Sequence, residues 1–425
     1  MTNVLAAMVA LGMVLGAAPG AFAQSAQQEQ DPDRGVVRWR NRPSFQFGDL
    51  RLDLRLKLAW DWRSFDPDID EDTYDFRLRR GGLNGEIGNH VEFQLERDLN
   101  EDGRWRDVFV NWRTFRQAEI MAGRFKVPFG REELISSTDI DFAFRTLVSS
   151  IIPPARDVGV MVHGRFLQRG FTYEVGVFEK DGDNGRLEEA QFARPDTKPE
   201  GIGPSFATRV TATPFRPLAE TFENLRVGAA YGVTDVPEGL NSLRGEPVWA
   251  GKDFVEPVYV NGRRQRFGAE FTYTPGPVGL AAEWMQAREQ RLGQGLGDVD
   301  LSDFITTGWY ASATWLVTGE DKDNFNGPRR PLFTGGIGAI ELAARYEKLQ
   351  SESASKVDEP FPNPRADNYL MNSDTVWTVG VNWFPNRWVR LTANGIHEHF
   401  ADAERTPIFG TTDFWSGVVR LQLVF

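Results

Sequence analysis

The chain has 425 residues with 12% aromatics, including 13 Trp and 31 Phe, yet its mean hydropathy is −0.40 and its formal charge −12. The absence of cysteine excludes thiol catalysis and zinc–thiolate centres, and the acidic balance argues against nucleic acid as a partner. Length alone permits either two or three ordinary domains or one large closed sheet.

In chain order, Met1 to Ala23 is the one long apolar run, and it ends in Ala21-Phe22-Ala23 ahead of Gln24, the small-x-small form that a signal peptidase cuts. No Lys or Arg precedes the run, so the terminal amine or a start further upstream must supply the basic n-region. An exported chain beginning near Gln24 is expected, with 24–47 as an N-terminal periplasmic segment and 48–425 as the main structural unit. Export suits a chain without thiols. Beyond Ala23 nothing approaches the roughly 18 consecutive apolar residues of a transmembrane helix.

The stretch Leu50 to Arg63 sets Leu50, Leu52, Leu54, Leu56, Leu58, Trp60 and Trp62 in strict alternation with Arg51, Asp53, Arg55, Lys57, Ala59, Asp61 and Arg63. A strand puts these two sets on opposite faces, whereas a helix would scatter the leucines around its surface. One face is expected to meet lipid and the other water, with the two Trp at headgroup level. The pattern recurs in Val91-x-Phe93-x-Leu95, Val108-x-Val110-x-Trp112, Phe171-x-Tyr173-x-Val175-x-Val177, Phe267-x-Ala269-x-Phe271-x-Tyr273 and Trp377-x-Val379-x-Val381-x-Trp383.

Strands are predicted at 50–63, 74–87, 90–98, 106–115, 118–127, 157–168, 170–180, 205–213, 224–234, 263–274, 278–288, 304–317, 337–348, 375–384, 387–399 and 413–425. The fold class is therefore all-β: a transmembrane antiparallel β-barrel of about sixteen strands, an even number of the kind that bacterial barrels use. A soluble sandwich or propeller shares the alternation but not the aromatic rows. Short turns at Gly88-Asn89, Gln168-Arg169-Gly170, Thr274 to Pro277 and Pro385 to Arg387 belong on the periplasmic side, and the long connections 130–156, 181–204, 235–262 and 349–374 on the other. Residues 318–336 are long where a short turn is expected, which puts the strand count in question there. The chain closes with Val419-Arg420-Leu421-Gln422-Leu423-Val424-Phe425, an alternating strand with an aromatic carboxy-terminal residue. That ending resembles the signal read by the outer-membrane barrel assembly machinery.

The run Gly123-Arg124-Phe125-Lys126-Val127-Pro128-Phe129-Gly130-Arg131-Glu132-Glu133-Leu134 resembles the hallmark of the phosphate-selective porin O and P family. Pro154-Ala155-Arg156-Asp157-Val158-Gly159-Val160-Met161-Val162-His163-Gly164-Arg165-Phe166 is similar to that family's second signature. Further matches run from Gly308-Trp309-Tyr310 through Thr318-Gly319-Glu320, Ile340 to Tyr346 and Val381 to Asn386. The resemblance implies a sixteen-stranded outer-membrane barrel of a Gram-negative bacterium, usually a homotrimer, in contact with outer-membrane lipid and lipopolysaccharide. One outer loop, here about 129–156, would fold inward as a constriction. It also implies passage of small anions, phosphate or polyphosphate, past basic lumen residues, with no cofactor.

Strand parity assigns Arg51, Arg55, Lys57, Arg77, Arg79, Arg124 and Lys126 to the lumen together with Arg209, Arg264, Arg266 and Arg345. Arginine suits an oxyanion pathway because its fork gives two parallel hydrogen bonds to one anion. Parity equally places Asp53, Asp61, Asp75, Glu92, Glu96, Asp107, Glu270 and Glu341 inside, so many of the cations are expected in ion pairs. In the inferred constriction, Arg131, Arg145 and Arg156 stand among Glu132, Glu133, Asp139, Asp141 and Asp157. That acidic excess speaks against tight phosphate selectivity. Lys126 and Arg131 are the favoured anion contacts, Arg145 a further one, and Arg156 with Asp157 is expected to pin the loop.

Asp66 to Asp72 and Asp98-Leu99-Asn100-Glu101-Asp102-Gly103 are acidic enough to attract a divalent cation. The second begins like a calcium loop through Asp98, Asn100 and Asp102, but its twelfth position is Phe109 instead of Glu. Solvated hairpin loops are the plainer account, so no metal is assigned. His397 and His399 share a strand face without further ligands in sequence, which favours an interfacial role.

A passive anion-preferring channel is the leading functional reading, and a closed structural or adhesive barrel the alternative. A hydrolase is remote, since only four His are present and no G-x-S-x-G marks a nucleophile. The chain is not expected to be an enzyme.

Overall fold

The computed structural model describes residues 36–39, 41–65, 72–100, 103–184, 202–216, 220–241, 243, 248, 254–255, 258–354 and 371–425. The predicted signal peptide, Asp102 and most of the acidic segment 66–72 lie outside them.

Eighteen strands form one sheet: β1 (Val36–Trp39), β2 (Pro43–Phe47), β3 (Leu50–Phe65), β4 (Thr73–Ile87), β5 (Val91–Asp98), β6 (Trp105–Phe115), β7 (Ala118–Lys126), β8 (Arg156–Phe166), β9 (Phe171–Phe178), β10 (Ser205–Ala212), β11 (Arg226–Leu240), β12 (Tyr259–Tyr273), β13 (Val278–Arg291), β14 (Leu301–Leu316), β15 (Ala339–Ser353), β16 (Asn372–Phe384), β17 (Val389–Phe400) and β18 (Asp413–Val424). From β3 onward each strand pairs antiparallel with the next. β18 returns to β3, with Val424 opposite Lys57. Phe425 exchanges two main-chain hydrogen bonds with Leu56, at 2.8 and 3.0 Å, so the terminal aromatic residue completes the closing seam. The result is a closed sixteen-stranded barrel with no free edge.

All sixteen predicted strands are present. The count also survives the long connection 317–338, which joins β14 to β15 and runs back over the barrel interior. β1 and β2 form a short hairpin within the segment assigned to the periplasm, and β2 pairs with the first residues of β3 (Phe47 opposite Leu50, Ser44 opposite Asp53).

The outward row behaves as the alternation requires. Near the outer end of the wall, Trp309 and Tyr346 lie 5.2 Å apart, Tyr346 and Trp377 4.5 Å, His397 and Trp415 4.6 Å, and Trp62 and Tyr74 5.5 Å. This is an aromatic girdle of the kind found at a membrane interface. Above it the outward positions of β15 turn polar (Lys348, Gln350, Glu352), but pairing with β14 continues to Ser353 opposite Phe304. That continuation explains why β11 to β15 outrun the predicted ends: apolar periodicity marks the lipid-facing part of a strand, whereas hydrogen bonding carries it beyond.

Inside the barrel, the connection from β7 to β8 does not stay at the rim. It contains two short helices, α1 (Arg131–Leu134) and α2 (Leu147–Ile151), and packs against the inner face of β12 to β18. Phe129, Ala143, Leu147, Val148 and Ile152 form one buried apolar cluster with Met285, Ala287, Phe304, Leu349, Val376, Ile396, Phe414 and Val418. Phe254 and Val255 of the β11–β12 connection join the same cluster, and the Phe254 ring meets Phe400 edge-on at 5.5 Å. Part of the lumen is thereby filled, and the space left divides between the β3 to β6 wall at one end and the β10 to β18 side at the other.

Candidate permeation pathway

The inward loop is held at its start, middle and end by groups supplied from the wall. At its start, Gly130 has φ 73°, and a Cβ there would lie 2.9 Å from Met285 Cε, so the turn into α1 needs glycine. Beyond it the Arg131 and Glu132 amides donate to Glu283 at 3.0 and 2.7 Å. Lys126 donates to the main-chain carbonyls of Glu133 and Ile135, the latter at 2.7 Å, and Arg145 bridges to the Glu133 carboxylate at 2.9 Å. Thr146 caps α2 by accepting from the Ser149 amide at 3.1 Å, while its own amide and hydroxyl donate to Glu132 at 2.8 Å.

At the middle of the loop, the carbonyls of Thr138, Ile140 and Asp141 accept from Gln422 (2.9 Å), Arg390 (2.8 Å) and Asn382 (2.7 Å), and the Ala143 amide donates to Asn394 at 2.8 Å. At the end, the Leu147 amide donates to Glu347 at 2.6 Å and the Ile152 carbonyl accepts from Arg266 at 2.6 Å. Asp181, just beyond β9, sits wholly buried between Arg264 and Arg266. Burial pushes its carboxyl up, but the two guanidiniums outweigh that and hold it below the usual carboxylate range.

Among the described residues, two chambers flank the segment 137–140, and Ile140 borders both. The outer chamber, about 560 Å³, is lined by Arg63, Arg77, Arg79, Arg80, Arg106, Arg145 and Arg420, with Asp98 as the single lining carboxylate among the described residues. Asp98 is shared by Arg80 at 2.6 Å and Arg106 at 2.5 Å. Arg420 takes a bidentate grip on Asp61 at 2.7 Å on both arms and lies 5.1 Å from the Phe144 ring centre. The inner chamber, about 680 Å³, mixes Arg131, Arg169, Arg216, Arg226, Lys322, Arg387 and Arg390 with Glu132, Asp139, Asp141, Glu223, Asp323 and Glu341. The pathway is thus strongly basic on one side of the loop and mixed on the other.

Arg79 apart, the residues singled out from the sequence fall into three groups. Arg77 lines the outer chamber and Arg131 the inner one; among the described residues neither forms an ion pair. Arg51 (Asp53 at 3.3 Å and Glu86 at 2.8 Å), Lys57 (Glu96, 2.6 Å), Arg124 (Asp183, 2.5 Å) and Arg145 are neutralised by neighbouring carboxylates, and Arg55 donates to Asn84 at 3.2 Å. Lys126 is used in holding the loop, and Arg156 and Asp157 act at its exit. Arg156 grips Asp107 at 3.0 Å on two arms, and Asp157 accepts from the amides of Val158, Lys180 and Gly182.

Arg79 departs from the parity expectation. A bulge between Ala59 and Asp61 leaves Arg79 opposite the outward Leu58, with its guanidinium 5.1 Å from the Phe76 ring, which itself stacks on Trp60 at 4.2 Å. Its backbone position therefore falls on the outward row, while the residue still borders the outer chamber. A second bulge, between Leu95 and Arg97, lets the adjacent Arg106 and Asp107 both reach inward.

Arg63, Arg80, Arg106, Arg390, Arg420 and Lys322 were not singled out. Arg63 and Arg420 were legible, since each alternates with outward Trp or Val and Leu. Of the calcium-loop candidates, both Asp98 oxygens accept from guanidiniums. His397 and His399 share Asp413, at 3.4 and 2.9 Å, on the outward face beside Trp415.

Residues 52–425 match the family model described as phosphate-selective porin O and P. No curated protein sequence matches the chain. In fold it is similar to outer-membrane OmpT of Vibrio cholerae (TM-score 0.56, 12% identity, 89% of this chain and 98% of that one) and to a trimer form of that protein (0.53, 13%, 88% and 99%). It is also similar to the outer membrane channel DcaP of Acinetobacter baumannii (0.56, 10%, 89% and 99%). The match over nearly the whole chain, on a closed barrel with an inward loop and a charged lumen, places this protein in the phosphate-selective porin O and P family as a porin of the Gram-negative outer membrane.

Proposed function

We propose that this porin is a passive, anion-preferring diffusion channel for small oxyanions, phosphate among them. The observation that carries the reading is the outer chamber, whose described lining holds seven arginines and one carboxylate. Fixed guanidiniums lower the barrier for an anion in a narrow pore, and their forks match the paired oxygens of phosphate or carboxylate. The acidic excess of the inward loop does not oppose this. Glu132 is spent on Thr146, Glu133 on Arg145 and Asp141 on Lys322.

The protein is read as non-enzymatic. Among the described residues no serine hydroxyl is hydrogen-bonded to a histidine: His90 pairs with Thr114, His163 with Asn111, and His397 and His399 with Asp413. The likeness to a trimeric form of a Vibrio cholerae barrel supports a homotrimer, and the girdle supports contact with outer-membrane lipid and lipopolysaccharide.

The test is a charge reversal in the outer chamber, Arg77→Glu with Arg106→Glu. In a KCl gradient the double variant should lose its chloride preference, more at 0.1 M than at 1 M salt, because the screening length falls from about 10 Å to about 3 Å. An unchanged reversal potential at both salts would remove the outer chamber from the pathway.

A further inference from the structure

The connection from β14 to β15, 317–338, is long where most of its counterparts at the same end of the barrel are short turns, and it enters the lumen. The Lys322 amide donates to the Gly276 carbonyl at 2.7 Å, Thr274 hydrogen-bonds to Asp323 at 3.1 Å, and Phe325 meets Phe384 edge-on at 4.8 Å. The Lys322 stem crosses the inward face of β13 at Gly279, where a Cβ would lie 3.0 Å from Lys322 Cγ and 2.6 Å from Thr314 Oγ1. Glycine at 279 leaves the room this stem needs. Lys322 Nζ then lies 2.6 Å from Asp141 of the inward loop and also pairs with Glu341 of β15. Asn382 holds the same two partners together, donating to the Asp141 carbonyl at 2.7 Å and to Glu341 at 2.9 Å.

We propose that Lys322 is a positioning and specificity-determining residue of this channel: a cation delivered from the periplasmic end that fixes the middle of the inward loop and cancels the Asp141 and Glu341 carboxylates facing the inner chamber. The inference rests on the channel reading above and goes beyond it, because it puts control of the narrow segment in a periplasmic connection. Without Lys322, two carboxylates would face each other beside the dividing segment 137–140 with no ammonium between them. Cations would then be drawn to the place where anions must pass. Arg131 and Arg390 border the same chamber but stand off from Asp141, and neither forms an ion pair with it.

The test uses the full barrel in planar bilayers under a KCl gradient, comparing wild type with Lys322→Met, Lys322→Arg and Lys322→Met combined with Asp141→Asn and Glu341→Gln. Lys322→Met should lower the chloride-to-potassium permeability ratio about threefold or more, Lys322→Arg should keep it, and the triple variant should restore it. A Lys322→Met channel with the wild-type reversal potential would overturn the proposal, as would a triple variant that stays shifted. Because the natural chain has no cysteine, Lys322→Cys gives a unique thiol, and an aminoethyl thiol reagent should restore the ratio while a sulfonatoethyl one should not. Should wild type fail to conduct, the channel reading falls, and hydrogen exchange at 137–141 decides the anchoring. Faster exchange in Lys322→Met than in Lys322→Arg supports the anchor, and equal exchange overturns it.

Discussion

Arg156 and Asp107 meet side-on across the inner wall, with the guanidinium Nε and Nη2 each 3.0 Å from a different carboxylate oxygen. The pair joins the first residue after the inward loop to β6, and both side chains are largely buried. Removing one partner strands the other charge in a dry setting. Arg156→Ala or Asp107→Asn is therefore expected to cost about 3–5 kcal/mol, read as a lower midpoint for heat- or urea-induced unfolding in detergent. Arg156→Lys keeps the charge but loses the fork and should fall between. Wild-type midpoints in all three variants would show that the pair does not anchor the loop.

Lys126 and Arg131, five residues apart, occupy different environments. Lys126 is saturated by loop carbonyls and Glu133, whereas Arg131 presents a guanidinium without an ion pair to the inner chamber. Arg131→Gln should therefore move the reversal potential toward cations with less loss of stability than a change at Lys126. Lys126→Met should do the reverse, loosening α1 and adding open-channel noise while leaving selectivity near wild type. Equal shifts in reversal potential from both would contradict this division of labour.

The Asp141–Lys322 pair sets a pH window. Burial acts to raise the Asp141 carboxyl, but Lys322, helped by Arg131 and Arg390, outweighs it and holds the group below its ordinary range. Burial acts to lower the Lys322 ammonium, but Asp141 and Glu341 outweigh it and hold that group above its ordinary range. A depressed carboxyl stabilises the fold above its unfolded pKa and loses that contribution as pH falls through the folded value. A raised ammonium contributes below its unfolded pKa and loses it as pH climbs through the folded value. The contribution of this pair to channel noise and selectivity should accordingly be flat between about pH 5 and 9, and be lost below about pH 4 and again above about pH 11. A transition near neutral pH that vanishes in Lys322→Met would show the pair to be weaker than this.

The barrel was legible because a lipid-facing strand must alternate, and the row Leu50 to Trp62 can do so in only one register. The strands from β11 to β15 were cut short where Lys348, Gln350 and Glu352 replace outward apolar groups, since pairing outlasts the lipid-facing row. Lumen residues were legible only as far as parity holds. It serves Arg77 and Arg420, but a single extra residue in β4 shifts Arg79 onto the register of the outward row, and another irregularity lets Arg106 and Asp107 both point in. Parity is also blind to what a side chain meets once inside, so Lys126 and Arg131 looked alike. Lys322 left no trace in any period, because it is carried by a connection whose path is set by its contacts with Gly276, Gly279 and Asp141.

Anion passage is tested most directly by single-channel conductance and reversal potential of the wild-type barrel in planar bilayers under a KCl gradient, repeated with phosphate added. An anion channel of this build should show an open pore with chloride preferred over potassium and current reduced by phosphate as it occupies the arginine-lined chamber. A cation-preferring pore indifferent to phosphate, or a barrel that does not conduct, would contradict it.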